Sequence, residues 1–173
     1  MKEQQNSFLS SAQEPTQNVV WTVYIDGAAR GNPGPSGAGI YALDHNGKPL
    51  IKQGFYIGLK TNNQAEYLAL VFALFLVKKE AEKQEVQNLS LLVISDSELL
   101  IKQMRGSYKT KNPILVQIRM VIEILSQDIT CSFKHVLREQ NTMADKLANL
   151  GVDHKKKLPA ALTALATTHQ LPL

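Results

Sequence analysis

The feature that most constrains the fold is a nearly unbroken apolar run, Leu-Ser-Leu-Leu-Val-Ile, at residues 89–94. A run this short and this apolar is typical of a strand that is buried on both faces of a sheet. Ahead of it, residues 63–83 carry apolar side chains at the spacing of an amphipathic helix: Ala65, Leu68, Ala69, Phe72, Ala73 and Leu76. A buried strand reached through a helix predicts a right-handed crossover between two parallel strands.

Three more strands are predicted before that helix and one after it. Strand-like runs at 19–26, 37–43 and 50–57 are rich in β-branched and aromatic residues, and a turn sequence separates the last two. Farther on, the pattern predicts helices at about 97–104, 114–125 and 142–150, with a strand at 129–136 between the last two. The order βββαβααβα predicts an α/β fold: a mixed five-stranded sheet, three strands antiparallel and then two parallel, with helices on both faces.

The length of 173 residues, with 44% hydrophobic and 20% charged residues, fits one globular domain with appendages. We expect a flexible N-terminal tail over 1–18, a catalytic domain over 19–151, and a C-terminal extension over 152–173. That extension is basic at first and then rich in alanine and leucine.

Composition also limits the cellular compartment, the metal ligands and the partners that we expect. No apolar run approaches the ~18 residues that cross a bilayer, and Glu3 and Glu14 count against a secretory or transit peptide. We therefore expect a cytoplasmic protein without membrane contact, and a monomer by default. The single cysteine, Cys131, leaves oxygen or imidazole as ligands for any metal. A net charge of +4 permits a polyanionic partner without establishing one.

Four acidic side chains fall near predicted element ends. We expect Asp26 to end the first strand and Asp96 the fourth, so that parallel pairing sets their carboxylates side by side. Glu66 is expected in the first turn of the long helix, and Asp145 near the start of the last helix. Carboxylates gathered this closely raise one another's pKa unless a cation neutralises them. The set predicts a site for two Mg²⁺ or Mn²⁺ ions, which prefer oxygen ligands and suit phosphoryl displacement.

Each acid also has a purely structural explanation. Glu66 and Asp145 could stabilise the positive end of a helix dipole. Asp96 could belong to a helix cap, and Asp26 could begin a turn. Taken singly, these explanations are favoured, whereas the four acids taken together favour a metal site.

Four segments add a more specific signal. They are Tyr-Ile-Asp-Gly-Ala-Ala-Arg-Gly-Asn-Pro-Gly-Pro-Ser-Gly-Ala-Gly at 24–39, Thr-Asn-Asn-Gln-Ala-Glu-Tyr at 61–67, Ser-Asp-Ser at 95–97 and Asn-x-x-x-Asp-x-Leu-Ala at 141–148. In this order they resemble the ribonuclease HI family of the retroviral-integrase-like nuclease superfamily. The resemblance implies endonucleolytic cleavage of RNA in RNA/DNA hybrids, leaving 3′-hydroxyl and 5′-phosphate ends. It also implies four metal-binding catalytic carboxylates: Asp26, Glu66, Asp96 and Asp145.

The resemblance implies substrate contacts as well. Five residues of the first loop and the helix start would approach the RNA strand and its 2′-hydroxyl groups: Gly31, Asn32, Asn62, Asn63 and Gln64. Thr61 and Asn112 match positions of a family pocket for a phosphate of the DNA strand. The structural alternatives are a simple turn for the first loop, and helix capping for Thr61 and Asn112.

Two features depart from the longer bacterial members of the family. Residues 105–113 are too few for the basic handle helix of those members, as in the handle-less archaeal and some bacterial and plant proteins. Lys109, Lys111 and Arg138 are candidate cations in its place. No histidine matches the family's mobile histidine, and His135 is interpreted as a structural residue at a strand end.

There are two rival functions, one from the binding class and one enzymatic. A catalytically weak or silent hybrid-binding domain of the same fold would be expected to lack a carboxylate, yet all four acids are present. A DNA-directed nuclease of the same superfamily is disfavoured by the Gly31-Asn32 and Asn62-Asn63 motifs, which match the RNA-reading segments of the family.

Overall fold

The computed structural model describes residues 19–173, so the tail predicted at 1–18 lies outside the described residues. The elements in chain order are β1 (Val19–Ala29), β2 (Gly34–Leu43), β3 (Pro49–Lys60), α1 (Asn62–Lys83), β4 (Leu89–Ser95), α2 (Glu98–Met104), α3 (Pro113–Leu125), β5 (Thr130–His135), a 3₁₀ turn (Arg138–Gln140), α4 (Thr142–Asp153) and α5 (Ala160–Thr168). The predicted order is confirmed, and the 3₁₀ turn and α5 are additions to it.

The five strands form one mixed sheet in the order β3-β2-β1-β4-β5. β1 pairs with β2, and β2 with β3, in antiparallel fashion, whereas β4 runs parallel to β1 on one side and to β5 on the other. This is the predicted fold class. The crossover through α1 brings β4 beside β1, which sets the carboxyl ends of these two strands at one edge of the sheet.

One face of the sheet is covered by α1, against which α3 packs, and large apolar side chains fill this core. Trp21, Phe72 and Leu68 are among the most fully buried residues of this core. The prediction of an amphipathic α1 is wrong over its first half, because every residue from 65 to 74 is buried. The sheet and α3 both contact α1, so little of its N-terminal half faces solvent.

The other face is covered by α4, which lies unusually close to the strands. Four glycines, Gly37, Gly39, Gly54 and Gly151, form what we call the glycine seam. A Cβ atom on Gly39 would lie 2.1 Å from the carbonyl oxygen of Ala144, and one on Gly54 would lie 1.9 Å from that of Leu147. Helix backbone therefore rests directly on strand backbone, which fixes the first turn of α4 against the sheet.

The residues beyond 151 complete the helical layer. Two further residues belong to α4, and α5 buries Leu162, Leu165 and Ala166 in the main core. The side chain of Gln117 on α3 donates a hydrogen bond to the carbonyl oxygen of Gln170 (2.6 Å), just beyond α5. The segment predicted as a C-terminal extension is thus docked on the core. Within the described part of the chain, no helix is both long enough and apolar enough to span a membrane.

Candidate active site

Asp26 and Asp96 lie at the edge where the parallel ladder stops. The last paired residues of that ladder are Tyr24 and Ile94, and Asp96 directly follows β4. The prediction that Asp26 ends β1 is wrong, because β1 continues to Ala29 as a hairpin with β2. Asp26 still lies past the last residue of β1 that pairs with β4. Its side chain therefore lies beside that of Asp96.

Glu66 reaches the same point from α1. The helix begins at Asn62 after the N-cap Thr61, so Glu66 lies in the second turn rather than the predicted first turn. A close approach of α1 to β1 brings it into the site, because a Cβ atom on Gly27 would lie 2.2 Å from the backbone nitrogen of Glu66. Only glycine at position 27 allows this contact.

These three acids, Asp26, Glu66 and Asp96, form what we call the carboxylate trio. One carboxylate oxygen from each lies within 4.8 Å of the others. Burial, reinforced by Asp96 and Asp145, raises the pKa of Asp26 from 3.8 to about 7. Burial, reinforced by Asp26 and Asp96, also raises the pKa of Glu66 well above its usual value. The trio is therefore short of positive charge.

The donor set of the trio fits a hard divalent cation. Glu66 is buried, and its Oε2 atom has no hydrogen-bond partner among the described residues. A buried carboxylate oxygen without a partner is strongly unfavourable unless something positive binds to it. Oxygen-only ligation from three clustered carboxylates is what Mg²⁺ or Mn²⁺ prefers.

Asp145 stands apart from the trio. It lies in the first turn of α4 and forms an ion pair with Arg138, at 2.5 Å between a carboxylate oxygen and Nη2. The two side chains nevertheless lie close enough to Asp26 to act on it: Asp145 raises the pKa of Asp26, and Arg138 lowers it. We call these residues the Arg138–Asp145 pair. Sequence reasoning treated Arg138 only as a candidate cation for the substrate.

Asn141 holds the trio in place, a role that sequence reasoning did not assign. It is 1% exposed, and its Nδ2 donates hydrogen bonds to the carbonyl oxygen of Ile25 (2.9 Å) and to Oδ1 of Asp96 (2.8 Å). One amide group thus ties Asp96 to the backbone of β1 next to Asp26. The sequence signal that could have identified Asn141 is its place as the first residue of the Asn-x-x-x-Asp segment.

The trio lies in an open cleft of about 340 Å³. Its other polar lining residues include Asn62 from the start of α1, Arg138, and Asn149 from α4. The cleft is thus bordered by all the elements that supply the acids. It is open enough for a phosphodiester to reach the carboxylates from solvent.

Most of the predicted substrate residues lie next to Asn62, which lines one rim of this cleft. The side chain of Asn32 accepts a hydrogen bond from the backbone N–H of Asn62 (3.1 Å), which connects the β1–β2 loop to α1. Gly31 in that loop has a φ of 103°, a conformation that favours glycine. Thr61 and Gln64 form a reciprocal capping box at the start of α1. Asn63 is exposed beside them.

The remaining predicted residues lie elsewhere. Asn112 is the N-cap of α3, where its Oδ1 accepts hydrogen bonds from the backbone N–H groups of Ile114 and Leu115. The capping alternative is thus observed for both Thr61 and Asn112. Lys109 and Lys111 are exposed on the loop before α3, and His135 is exposed at the end of β5.

Comparison with known proteins gives one consistent family. The profile described as "Reverse transcriptase-like" matches residues 24–151. The ribonuclease HI of Halobacterium salinarum is 39% identical over 131 residues, which cover 75% of this chain and 63% of that protein. The bifunctional protein Rv2228c of Mycobacterium tuberculosis is 37% identical over 142 residues, which cover 80% of this chain but 37% of that protein. The chain therefore spans less than two thirds of the length of either relative.

Solved structures agree with the sequence relatives. LC11-RNase H1, crystallised in complex with an RNA/DNA hybrid, is 38% identical with a TM-score of 0.72, over 78% of this chain and 97% of that chain. RNase H1 from Halobacterium salinarum is 36% identical with a TM-score of 0.70, over 78% of this chain and 98% of that chain.

The sheet order and the acids at the edge of β1 and β4 define an RNase H-like domain. Within that class, the chain belongs to the ribonuclease HI family.

Proposed function

We propose that this chain is an endoribonuclease that hydrolyses the RNA strand of RNA/DNA hybrids. The observation that carries the proposal is the carboxylate trio at the floor of an open cleft, with a buried oxygen of Glu66 that has no partner among the described residues. A site that is short of positive charge and open to solvent suits a metal-dependent phosphodiesterase. The names of the relatives, ribonuclease HI and an RNase H1 in complex with an RNA/DNA hybrid, support the hybrid as the substrate.

The proposed cofactor is Mg²⁺ or Mn²⁺, with two ions in each site. Asp26 and Asp96 would hold both ions, Glu66 would hold one, and Asp145 would complete the second. When bound, two such ions activate a water molecule and stabilise the leaving oxygen of an in-line phosphoryl displacement. Because water attacks the phosphorus and the 3′ oxygen leaves, the products are a 5′-phosphate and a 3′-hydroxyl.

The residues around the acids keep them in position for this reaction. Asn141 fixes the orientation of the Asp96 carboxylate through its two hydrogen bonds. Arg138 restrains Asp145, and it would release that carboxylate when a cation of higher charge takes its place. Gly27 lets α1 approach closely enough for Glu66 to enter the cleft. Orientation set in advance in this way lowers the reorganisation that the reaction requires.

Recognition of the RNA strand is proposed for the rim of the cleft. Asn62 lines the cleft itself, and Asn32 holds the β1–β2 loop against it. Neutral amide and backbone groups such as those of Gly31, Asn63 and Gln64 suit a 2′-hydroxyl, the group that distinguishes RNA from DNA. Thr61 and Asn112 are proposed to contact a phosphate of the DNA strand with the side-chain atoms that capping leaves free.

A cleavage assay tests the proposal. Labelled RNA/DNA hybrid, single-stranded RNA, duplex RNA and duplex DNA are incubated with the chain in Mg²⁺ or in Mn²⁺, and the products are resolved on a gel. We expect metal-dependent cleavage of the hybrid alone, with loss of activity in Asp26→Asn. Asp128→Asn is a matched control, because Asp128 lies in an exposed ion pair with Lys78. Circular dichroism confirms that each variant folds.

The other outcomes have definite meanings. Cleavage of duplex DNA would favour a DNA-directed nuclease. Hybrid binding without cleavage in either metal would favour the catalytically silent binding domain, and either result would overturn the proposal.

A further inference from the structure

The hydroxyl group of Tyr67 is buried in a polar network that the proposed reaction does not use. Tyr67 follows Glu66 on α1 and is 1% exposed. Its hydroxyl donates a hydrogen bond to Oε1 of Gln103 (2.7 Å) and lies 3.2 Å from Oγ1 of Thr110. A hydroxyl buried this deeply is normally hydrogen-bonded, so its partners show which parts of the fold it connects.

The partners of this hydroxyl belong to the end of α2 and to the loop that follows it. Residues 105–112, which we call the α2–α3 loop, connect those two helices. Gln103, itself 5% exposed, accepts from Tyr67 and donates from Nε2 to the carbonyl oxygen of Lys109 (3.3 Å). At the other end of the loop, Nη1 of Arg119 donates to Oγ1 of Thr110 (3.3 Å). Tyr67 is thus the point through which α1 holds the middle of this loop.

The α2–α3 loop carries positive charge that no acid neutralises. Lys109 and Lys111 are exposed, and neither forms an ion pair with an acid in residues 19–173. The cations on the flanking helices are different, since Lys102 pairs with Glu98 and Arg119 pairs with Glu123. Free cations on a fixed loop are suited to a polyanion, because they need not break an existing pair to bind it.

The loop is also linked to the helix that forms one wall of the cleft. Tyr67 occupies the second turn of α1, and the first two turns of that helix supply Asn62 and Glu66 to the cleft. A loop that is bonded to Tyr67 therefore lies beside the same helix end. A substrate longer than a few nucleotides would extend past the cleft toward such a flank.

We propose that Tyr67 is a positioning residue, which fixes the α2–α3 loop so that Lys109 and Lys111 bind the phosphate backbone of the nucleic acid held in the cleft. This inference rests on the proposed function for the identity of that nucleic acid. It gives the handle-less chain a defined cationic contact in place of the missing helix. Tyr67 itself touches neither the substrate nor the reacting atoms.

The first test compares Tyr67→Phe with the double variant Lys109→Ala, Lys111→Ala in steady-state cleavage of an RNA/DNA hybrid. Phenylalanine fills the same core volume but leaves Gln103 Oε1 without its donor. We expect KM to rise about fivefold in Tyr67→Phe, with kcat changed by less than about twofold. In the double variant we expect a rise of about tenfold in KM.

Salt dependence separates this role from a general loss of stability. Each phosphate contact contributes roughly 0.7–0.9 to the slope of log Kd against log salt concentration. We expect that slope to decrease by about 1 in Tyr67→Phe and by about 1 to 2 in the double lysine variant. The triple variant is expected to bind no more weakly than the double variant, because Tyr67 acts only through the loop. A variant that was merely less stable would keep the wild-type slope.

Two further variants show whether the result depends on the Tyr67→Phe substitution alone. Gln103→Met keeps the length of the side chain but removes both of its hydrogen bonds, and it should reproduce the KM rise of Tyr67→Phe. Tyr56→Phe is the matched control, because Tyr56 lies on β3 and its hydroxyl is not part of this network. Unfolding midpoints in urea confirm that all variants are folded under assay conditions.

Binding measurements keep this inference separate from the proposed function. Fluorescence anisotropy of a labelled hybrid without divalent metal gives Kd whether or not cleavage occurs. If the wild type binds the hybrid without cutting it, the proposed function fails, while the loop is still tested by Kd. An unchanged Kd and salt slope in Tyr67→Phe and Gln103→Met would overturn the inference. The inference would also be overturned if the increase in Kd of the triple variant equalled the product of the increases in Tyr67→Phe and in the double lysine variant.

Discussion

The carboxylate trio and the Arg138–Asp145 pair lie near one another but differ in burial and in charge balance. The trio is largely buried, and burial, reinforced by the neighbouring carboxylates, raises the pKa of Asp26 and of Glu66. The pair is more open, with 73% of the Arg138 side chain and 27% of the Asp145 side chain exposed, and it neutralises itself. An exposed pair of this kind contributes about 0–1 kcal/mol to stability. The fold therefore concentrates its unbalanced charge where a divalent cation would bind.

The largest expected effect is on catalysis by the trio. Glu66→Gln keeps the shape of the side chain but removes one ligand charge, and we expect the cleavage rate to fall about 10³-fold, or about 4 kcal/mol. The same change should raise the urea midpoint in the absence of metal, because it removes a buried repulsive charge. Glu82→Gln is the control on the same helix, since Glu82 lies in an exposed pair with Lys79. Near wild-type cleavage by Glu66→Gln would contradict a catalytic role for the trio.

The second effect is a dependence of stability on pH. The pKa of Asp26 rises from 3.8 to about 7 on folding, so the native state binds the extra proton between those values. Stability should accordingly decrease as the pH rises from about 4 to about 7, by on the order of 4 kcal/mol. Urea unfolding across this range measures the slope. Asp26→Asn should flatten the slope, and Mg²⁺ or Mn²⁺ should restore stability at the alkaline end; an unchanged slope in Asp26→Asn would contradict the assignment.

A third effect concerns how the trio is assembled. Gly27→Ala places a Cβ atom 2.2 Å from the backbone nitrogen of Glu66, so α1 must move away from β1. We expect a loss of about 3 kcal/mol in the free energy of unfolding, together with loss of activity. Gly47→Ala provides the comparison, because Gly47 has a φ of 78° and open space around it. That substitution should cost about 1 kcal/mol and leave the cleavage rate unchanged. Equal costs for the two substitutions would rule out the proposed collision.

The smallest effect distinguishes the two members of the pair. Burial and Asp96 dominate the raised pKa of Asp26, but Arg138 lowers it and Asp145 raises it. In urea unfolding of the metal-free protein, we expect Arg138→Gln to move the pH range of the stability change to higher pH, and Asp145→Asn to move it to lower pH, each by less than about one unit. Shifts in the same direction would show that the pair does not act on Asp26 through its charge.

The fold could be predicted largely from the sequence because strand and helix periodicities alternate cleanly in it. The position of Asp96 followed from the end of the apolar strand, and its closeness to Asp26 followed from parallel pairing. The extension of β1 to Ala29 was not predicted, since the small and polar residues after Asp26 suggest a turn. Pairing with β2 holds them in a strand instead.

Other features depend on contacts that no local pattern encodes. The burial of residues 65–74 of α1 on every side results from α3 and the sheet, and the docking of α5 depends on a surface formed by distant segments. Two features of the cleft also could not be predicted from local patterns. The ion pair of Asp145 with Arg138 and the double hydrogen bond of Asn141 depend on side-chain placement that spacing alone does not give. The metal-binding assignment of all four acids stays a prediction.

The glycine seam has a consequence for how this sequence can drift. When two side chains collide in a core, a second substitution that shrinks one of them can restore the fit. At Gly39 and Gly54 the obstacle is the carbonyl oxygen of Ala144 or Leu147, and no substitution elsewhere makes a backbone atom smaller. These positions therefore have no compensating partner, and a random library selected for folding should recover glycine there even where the large residues of the opposite face are freely exchanged.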